Sequence, residues 1–260
     1  MIMARINGSG MQMFLKSFVI AVAISMALCA FILPAQASPG LAEKVYGATV
    51  EPGVTELEGR YGRIQGGAND GEDALVLELA HGFSRKFYGA VLTEFTRDPH
   101  GDRKLDAFAL EGIYSVGRVN PLGLDVALYG EYEAARGGPD KLETKLLLQH
   151  RQGTFDGRLS LVAERQLVSG RPVAFEYAAS ADWEIADDLR VGGAAFGGLG
   201  NSNRLSTRGE HFAGPVGKYE FEHLGKGELG IEAGYLFALG SARNQADGQL
   251  RLLLEYETKF

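Results

Sequence analysis

The sequence contains one cysteine in 260 residues and one tryptophan, at position 183. A single cysteine excludes an intrachain disulfide framework and a thiolate metal cluster. Basic residues are also in the minority, because 26 lysines and arginines face 33 aspartates and glutamates and the formal net charge is −7. A nucleic-acid-binding protein normally shows the opposite balance, so we expect no nucleic-acid partner.

Long apolar runs are missing after residue 37, so that part of the sequence predicts no transmembrane helix. The residues before it have a positively charged start, an apolar stretch over 18–33 and an Ala-x-Ala sequence at 35–37. This order is typical of a secretory signal peptide, and we predict that residues 1–37 are removed; an uncleaved membrane anchor is the alternative. The exported chain would contain no cysteine, which suits an oxidising envelope compartment.

Glycine, by contrast, is abundant, with 36 residues. Clusters of Gly, Asp, Asn and Pro separate segments of roughly ten residues in which apolar and polar residues alternate, as in a strand between lipid and a lumen. The clearest segment has apolar residues at every second position from Leu229 to Leu239. Twelve such strands are predicted, near 54–65, 74–83, 87–96, 105–116, 124–133, 142–151, 157–167, 174–184, 189–199, 214–224, 228–239 and 248–260.

An even strand number favours a closed barrel, because an open sheet edge in lipid would leave backbone groups without hydrogen-bond partners. We predict an all-β fold, a single closed antiparallel transmembrane β-barrel of about 12 strands over residues 54–260, preceded by a periplasmic N-terminal segment at 38–53. Short and longer connections alternate, and this parity places both chain termini in the periplasm. A soluble β-sandwich is the main structural alternative, and it would bury its apolar face.

The C-terminal stretch from Leu250 to Phe260 ends on an aromatic residue and has hydrophobic residues at alternate positions. It resembles the assembly signal of porin-like Gram-negative outer-membrane β-barrels. The resemblance implies location in the bacterial outer membrane and recognition by the barrel-assembly machinery through a signal that includes Tyr256 and Phe260. Less specifically, the chain size, the Gly-rich strands and the stretch from His211 to Phe221 are similar to the meta-pathway phenol-degradation-like transporter family, from which no functional residue is carried over.

Acidic residues dominate the positions that the strand register turns inward. An acidic wall favours cations and repels anions, although charges at this density require either water in the lumen or internal pairing. A lumen filled by its own Glu/Arg pairs is the alternative, since twelve strands lie between a filled eight-stranded barrel and an open sixteen-stranded channel. Four inward carboxylates near mid-strand are the predicted constriction residues: Glu58, Glu78, Glu111 and Glu131.

Basic residues concentrate in or beside the predicted outer loops. Arg and Lys pair well with phosphate, so one interpretation is that these residues contact lipopolysaccharide phosphates. The alternative is that they are charged loop side chains exposed to water, without a specific partner. The candidates for lipopolysaccharide contact are Arg97, Arg103, Lys104, Arg136 and Arg208.

Catalytic and metal-binding motifs do not emerge. The histidines have no partners at metal-ligand spacing, and H-E-x-x-H, G-x-S-x-G and P-loop sequences are missing. We predict a monomeric, non-enzymatic channel, without cofactor or metal, that passes small solutes by passive diffusion and leans to cations or neutral molecules. The alternatives are a non-conducting barrel with a structural or surface-interaction role carried by the 200–213 loop, and an outer-membrane enzyme that modifies lipid.

Overall fold

The computed structural model describes residues 38–259; the predicted signal peptide and Phe260 lie outside the described residues. Two short 3-10 helices, Asn120–Leu122 and Ser241–Asn244, are the helical elements of this part of the chain. None of its helices has the length and hydrophobicity to cross a membrane. The strands are β1 (Val54–Gln65), β2 (Asp73–Gly82), β3 (Phe87–Arg97), β4 (Lys104–Val119), β5 (Leu124–Ala135), β6 (Lys141–Gln152), β7 (Phe155–Gln166), β8 (Ala174–Ala186), β9 (Leu189–Asn201), β10 (Arg204–Leu205), β11 (Glu210–Leu224), β12 (Gly227–Gly240) and β13 (Gly248–Lys259).

The sheet closes on itself. Each long strand pairs antiparallel with its neighbours, and β1 pairs with β13 from Val54 opposite Lys259 to Gln65 opposite Gly248. The two-residue β10 folds back on the end of β9, so twelve strands of the described chain form the wall. The predicted closed antiparallel barrel of twelve strands is confirmed, with most strand ends within three residues of the predicted ones; β11 begins earlier than predicted, because Glu210 already pairs with Gly240 of β12.

The two ends of the barrel differ in their connections. Connections of two to four residues lie at the end where β1 begins and β13 finishes, and connections of five to eight residues lie at the other. In the two-residue turns, Gly153 and Gly225 adopt φ angles of 58° and 70°, which tight hairpins require and which glycine adopts without strain. We call these the short-turn end and the long-loop end; in outer-membrane barrels they face the periplasm and the exterior, respectively.

Apolar side chains cover the outer surface of the barrel. Leu57, Leu79, Leu110 and Leu128 are each more than half exposed, which would be unfavourable in water across so wide an area. Exposed aromatic residues lie near both rims, Phe83, Phe87 and Trp183 toward the short-turn end and Tyr132 and Phe237 toward the long-loop end. An apolar belt between two aromatic girdles is the surface of a barrel that spans the bacterial outer membrane, and a soluble sandwich is excluded.

Residues 38–53, which we call the lumen segment, lie inside the barrel. Near the long-loop end, the side chain of Gln249 donates a hydrogen bond to the carbonyl of Pro39 at 3.3 Å. Near the short-turn end, the backbone N–H of Ala48 donates to Gln149 at 3.0 Å and Arg151 donates to Thr49 at 3.0 Å. The segment therefore runs the length of the lumen before β1 begins. This differs from the expected periplasmic position, because its small and apolar residues find buried partners on the inner wall.

Candidate functional site in the lumen

Lys44 of the lumen segment lies among three carboxylates of the inner wall. Its Nζ is 2.7 Å from Glu56, 2.5 Å from Glu58 and 2.7 Å from Glu255. Alternation along β1 turns Glu56 and Glu58 to the same face, and the register with β13 places Glu255 opposite Glu58. We call these three residues the carboxylate cage. Like charges this close repel each other, and the ammonium of Lys44 offsets that repulsion.

Arg60, the next inward residue of β1, extends the network. Its guanidinium lies 3.2 Å from Glu58 and 3.0 Å from Glu78, and it donates to the hydroxyl of Tyr46 at 3.1 Å. The hydroxyl of Tyr88 donates to the second oxygen of Glu78 at 2.7 Å. Glu58 and Glu78 are 1% and 2% exposed, so these carboxylates are shielded from bulk water and face the fixed charges of Lys44 and Arg60.

Glu111 and Glu131 continue the same network on β4 and β5. Tyr46 and Tyr129 donate to one oxygen of Glu111 at 2.9 and 2.8 Å, and the Tyr129 hydroxyl also contacts Glu131. The structure thus connects all four carboxylates proposed from the sequence, with Glu131 half-buried and the other three buried. That they narrow a passage for solutes stays a prediction.

Lys145 of β6 closes the network on its far side. Its Nζ lies 2.9 Å from Glu143 and 3.5 Å from Glu43 of the lumen segment. It also lies 4.9 and 4.6 Å from the ring centroids of Tyr46 and Tyr129, within cation–π range. The sequence pattern does not identify Lys44 and Tyr46, because the lumen segment has no strand periodicity that would assign it to the barrel.

The wall formed by β7 to β13 carries three arginines in ion pairs inside the lumen, Arg158, Arg190 and Arg251. Arg190 and Lys218 both pair with Asp182, at 2.5 and 2.7 Å, while Arg251 pairs with Glu232 at 2.8 Å and donates to the backbone carbonyl of Glu43 at 3.0 Å. Between this wall and the lumen segment lies a cavity of about 330 Å³. Five basic and five acidic side chains line it: Lys44, Arg158, Arg190, Lys218, Arg251, Glu184, Asp188, Glu220, Glu232 and Glu255.

Toward the long-loop end the lumen is filled by apolar side chains. Leu41 of the lumen segment packs in one buried cluster with Ile64, Phe196, Phe212 and Leu236, which are at most 2% exposed. The guanidinium of Arg251 lies over the ring of Phe196, 4.9 Å from its centroid, at the border of this cluster. In this structure the cluster and the lumen segment together occupy the lumen toward the long-loop end.

The start of the lumen segment meets the loop between β1 and β2. Burial raises the pKa of the Glu72 carboxyl in this loop, and hydrogen bonding from the backbone of Ser38 acts in the opposite direction. Ser38 is itself buried. The first described residue is therefore held at the long-loop end of the lumen.

Two of the arginines proposed to contact lipopolysaccharide share one aspartate. Arg97 and Arg103 lie 2.5 and 2.7 Å from Asp73, and Arg103 also lies over the ring of Tyr61, 5.7 Å from its centroid. By strand alternation Asp73 is on the same face as the exposed Leu77 and Leu79, so the pair lies on the outer surface with an excess of positive charge. The other three candidates, Lys104, Arg136 and Arg208, are exposed at the long-loop end.

The proposed assembly signal lies in β13, the strand that closes the barrel. Tyr256 pairs with Leu57 of β1 and with Leu229 of β12. Its hydroxyl donates to the carbonyl of Leu224 at 3.1 Å, which anchors the last strand to the neighbouring turn. Phe260, the other residue of the signal, is outside the described residues, and the role of both in assembly stays a prediction.

The barrel resembles solved outer-membrane channels. The KdgM porin in complex with disordered oligogalacturonate aligns with a TM-score of 0.53 at 11% identity, over 79% of this chain and 99% of that chain. An outer membrane channel from Pseudomonas putida F1 gives 0.55 at 11% identity, over 86% and 100%. The NanC porin gives 0.53 at 12% identity, over 78% and 100%. These similarities establish a porin-type barrel fold.

No protein-family model matches the chain, and no curated protein sequence matches it. The similarity to the meta-pathway phenol-degradation-like transporters therefore stays a prediction.

Proposed function

We propose that this protein is a monomeric outer-membrane channel that passes small solutes by passive diffusion and favours cations and neutral molecules. The observation that carries the proposal is a closed, lipid-facing barrel whose lumen contains a polar cavity of about 330 Å³ lined by charged side chains. Charged walls of this kind determine which solutes enter a pore. Diffusion through such a lumen requires no cofactor and no catalytic residue.

The open part of the solute passage proposed here lies on the β7–β13 side of the lumen, on the short-turn side of the apolar cluster. On the β1–β6 side, the lumen segment contacts Glu58, Glu111 and Lys145. On the β7–β13 side, basic and acidic side chains are balanced and adjoin open space. The cation preference then comes from the buried carboxylates behind the segment, whose field reaches the cavity through Glu255, a residue of both the cage and the cavity.

The fold comparison supports a solute of modest size. The KdgM porin, a barrel of the same fold, is described in complex with disordered oligogalacturonate. In our chain the lumen segment occupies part of the lumen. We therefore propose solutes smaller than an oligosaccharide, and we propose a transport role rather than an enzymatic one.

A non-conducting barrel is the second candidate, and the apolar cluster around Phe196 and Phe212 favours it. Conductance of the refolded protein in a planar bilayer separates the two. We expect a small conductance, and a reversal potential under a salt gradient that shows cation preference. An absence of conductance both in the full mature chain and after deletion of residues 38–53 would refute the channel.

Contacts outside the lumen complete the proposal. We propose that the chain is exported with residues 1–37 as a cleaved signal peptide, and that the barrel-assembly machinery recognises its last strand. Mass spectrometry of the purified protein tests the cleavage, with Ser38 as the expected first residue.

The shared position of Arg97 and Arg103 beside Asp73 supports a contact with lipopolysaccharide phosphates at the long-loop end.

A further inference from the structure

The carboxylate cage belongs to the barrel wall, whereas the ammonium inside it belongs to a segment that pairs with no strand. Glu56, Glu58 and Glu255 are fixed by the register of β1 and β13. Lys44 reaches them from the lumen segment, which contributes no residue to the described sheet. The cage and its occupant are thus separate parts of the structure, and the cage is a preformed site with an intramolecular ligand in it.

The geometry is that of a binding site for a primary ammonium group. Three carboxylate oxygens from three side chains lie 2.5 to 2.7 Å from one nitrogen. Lys44 donates hydrogen bonds to Glu56 and Glu255, and a primary ammonium has a third N–H donor for Glu58. The ring of Tyr46, also in the lumen segment, has its centroid 5.7 Å from the nitrogen. Within residues 38–259, Lys44 is the cation in ion-pair contact with Glu56 and Glu255, so its departure would leave two carboxylates without their counter-charge.

The site borders the lumen cavity at Glu255. Lys44 and Glu255 both line the cavity of about 330 Å³, so one carboxylate of the cage faces the space through which we propose that solutes pass. A cation in the cavity would therefore meet the cage directly if Lys44 withdrew.

We propose that the carboxylate cage is a lumenal binding site for small solutes that carry a primary alkylammonium group, and that Lys44 occupies it as an intramolecular competitor. The route of such a solute to the site rests on the proposed channel function. Binding itself does not, because it requires only the folded barrel.

Lys44→Met tests the proposal, because it removes the ammonium and keeps a side chain of similar length. We expect the refolded variant to bind n-butylammonium saturably in calorimetry, and its thermal midpoint to rise with that ligand. Tetramethylammonium, which has the charge but no N–H donor, should bind at least about tenfold more weakly, because hydrogen bonds to charged groups contribute strongly. The unaltered protein should bind n-butylammonium at least about tenfold more weakly than the variant, because Lys44 competes.

Lys226→Met is the matched control, since Lys226 lies in the exposed turn between β11 and β12. It should respond to n-butylammonium as the unaltered protein does. Equal binding of tetramethylammonium and n-butylammonium to Lys44→Met would show that the site responds to positive charge alone and not to N–H donors. That result would overturn the proposal. Binding of Mg²⁺ without binding of n-butylammonium would also overturn it, by assigning the cage to a metal.

The folding of the variant is itself informative. If Lys44→Met and Lys44→Gln refold only when n-butylammonium is present, as seen by heat-modifiable migration on gels, the added ammonium replaces Lys44 and the proposal stands. The proposal is contradicted if neither Lys44 variant refolds, with or without n-butylammonium, while Lys226→Met refolds normally. A free ammonium would then be unable to replace Lys44 in the cage. Loss of conductance with binding intact would refute the channel and leave the site.

Discussion

Gly62 of β1 faces the backbone of Ala42 so closely that a Cβ atom added to it would lie 2.5 Å from the Ala42 nitrogen and 2.8 Å from a methyl group of Leu41. Contacts this short do not occur between unstrained atoms, and the obstacle includes backbone, which yields less readily than the end of a side chain. A residue without a side chain at position 62 therefore lets the lumen segment lie flat against β1.

Gly62→Val should displace the lumen segment while leaving the barrel intact, because valine is favourable in a strand. Lys44 would then become accessible, and trypsin should cleave after it faster than in the unaltered protein. Mass spectrometry of limited digests measures this. Gly130→Val is the matched control, since a Cβ at that position of β5 would meet nothing within 4 Å. Equal cleavage of both variants would show that position 62 does not hold the segment.

Much of the barrel was predictable because its signal is local. Alternation along residues 54–65 and 248–259 needs only the strand itself, and the structure has β1 and β13 there. The acidic pair Glu56 and Glu58 was visible for the same reason. The lumen segment was not predictable, because its burial depends on residues far away in sequence, as in the contact of Lys44 with Glu255, which lies 211 positions later.

Glu78→Gln should reduce both stability and cation preference. The carboxylate of Glu78 is buried and lies 3.0 Å from Arg60, and removal of one partner of a buried ion pair typically costs about 3 kcal/mol. Unfolding in lipid vesicles measures the stability, and the reversal potential in a bilayer measures the preference. Glu184→Gln, at a half-exposed ion pair with Arg190, should change the stability by less than about 1 kcal/mol. An unchanged reversal potential in Glu78→Gln would show that Glu78 does not contribute to the cation preference.

Leu77→Arg tests the position of the lipid belt. Leu77 lies near the middle of β2 on the outward face and is 44% exposed, so arginine there would be placed in the hydrocarbon. We expect a loss of about 2–4 kcal/mol in the free energy of unfolding measured in lipid vesicles. Leu205→Arg is the control, because Leu205 is 71% exposed but lies in β10, outside the barrel wall. A similar small effect of both substitutions would contradict the membrane placement of β2.

The double substitution Arg97→Gln and Arg103→Gln tests the proposed phosphate contact at the long-loop end. Both guanidinium groups share the single carboxylate of Asp73, so one positive charge in the group is left for an external anion. Removing both arginines should weaken the binding of purified lipopolysaccharide to the refolded barrel by about tenfold, because charge-assisted hydrogen bonds to phosphate are among the strongest in proteins. The paired substitution Arg85→Gln and Lys86→Gln, in the connection between β2 and β3 at the short-turn end, removes the same charge and serves as the control. Equal weakening by the two pairs would mean that only net charge matters and that the long-loop end has no specific phosphate contact.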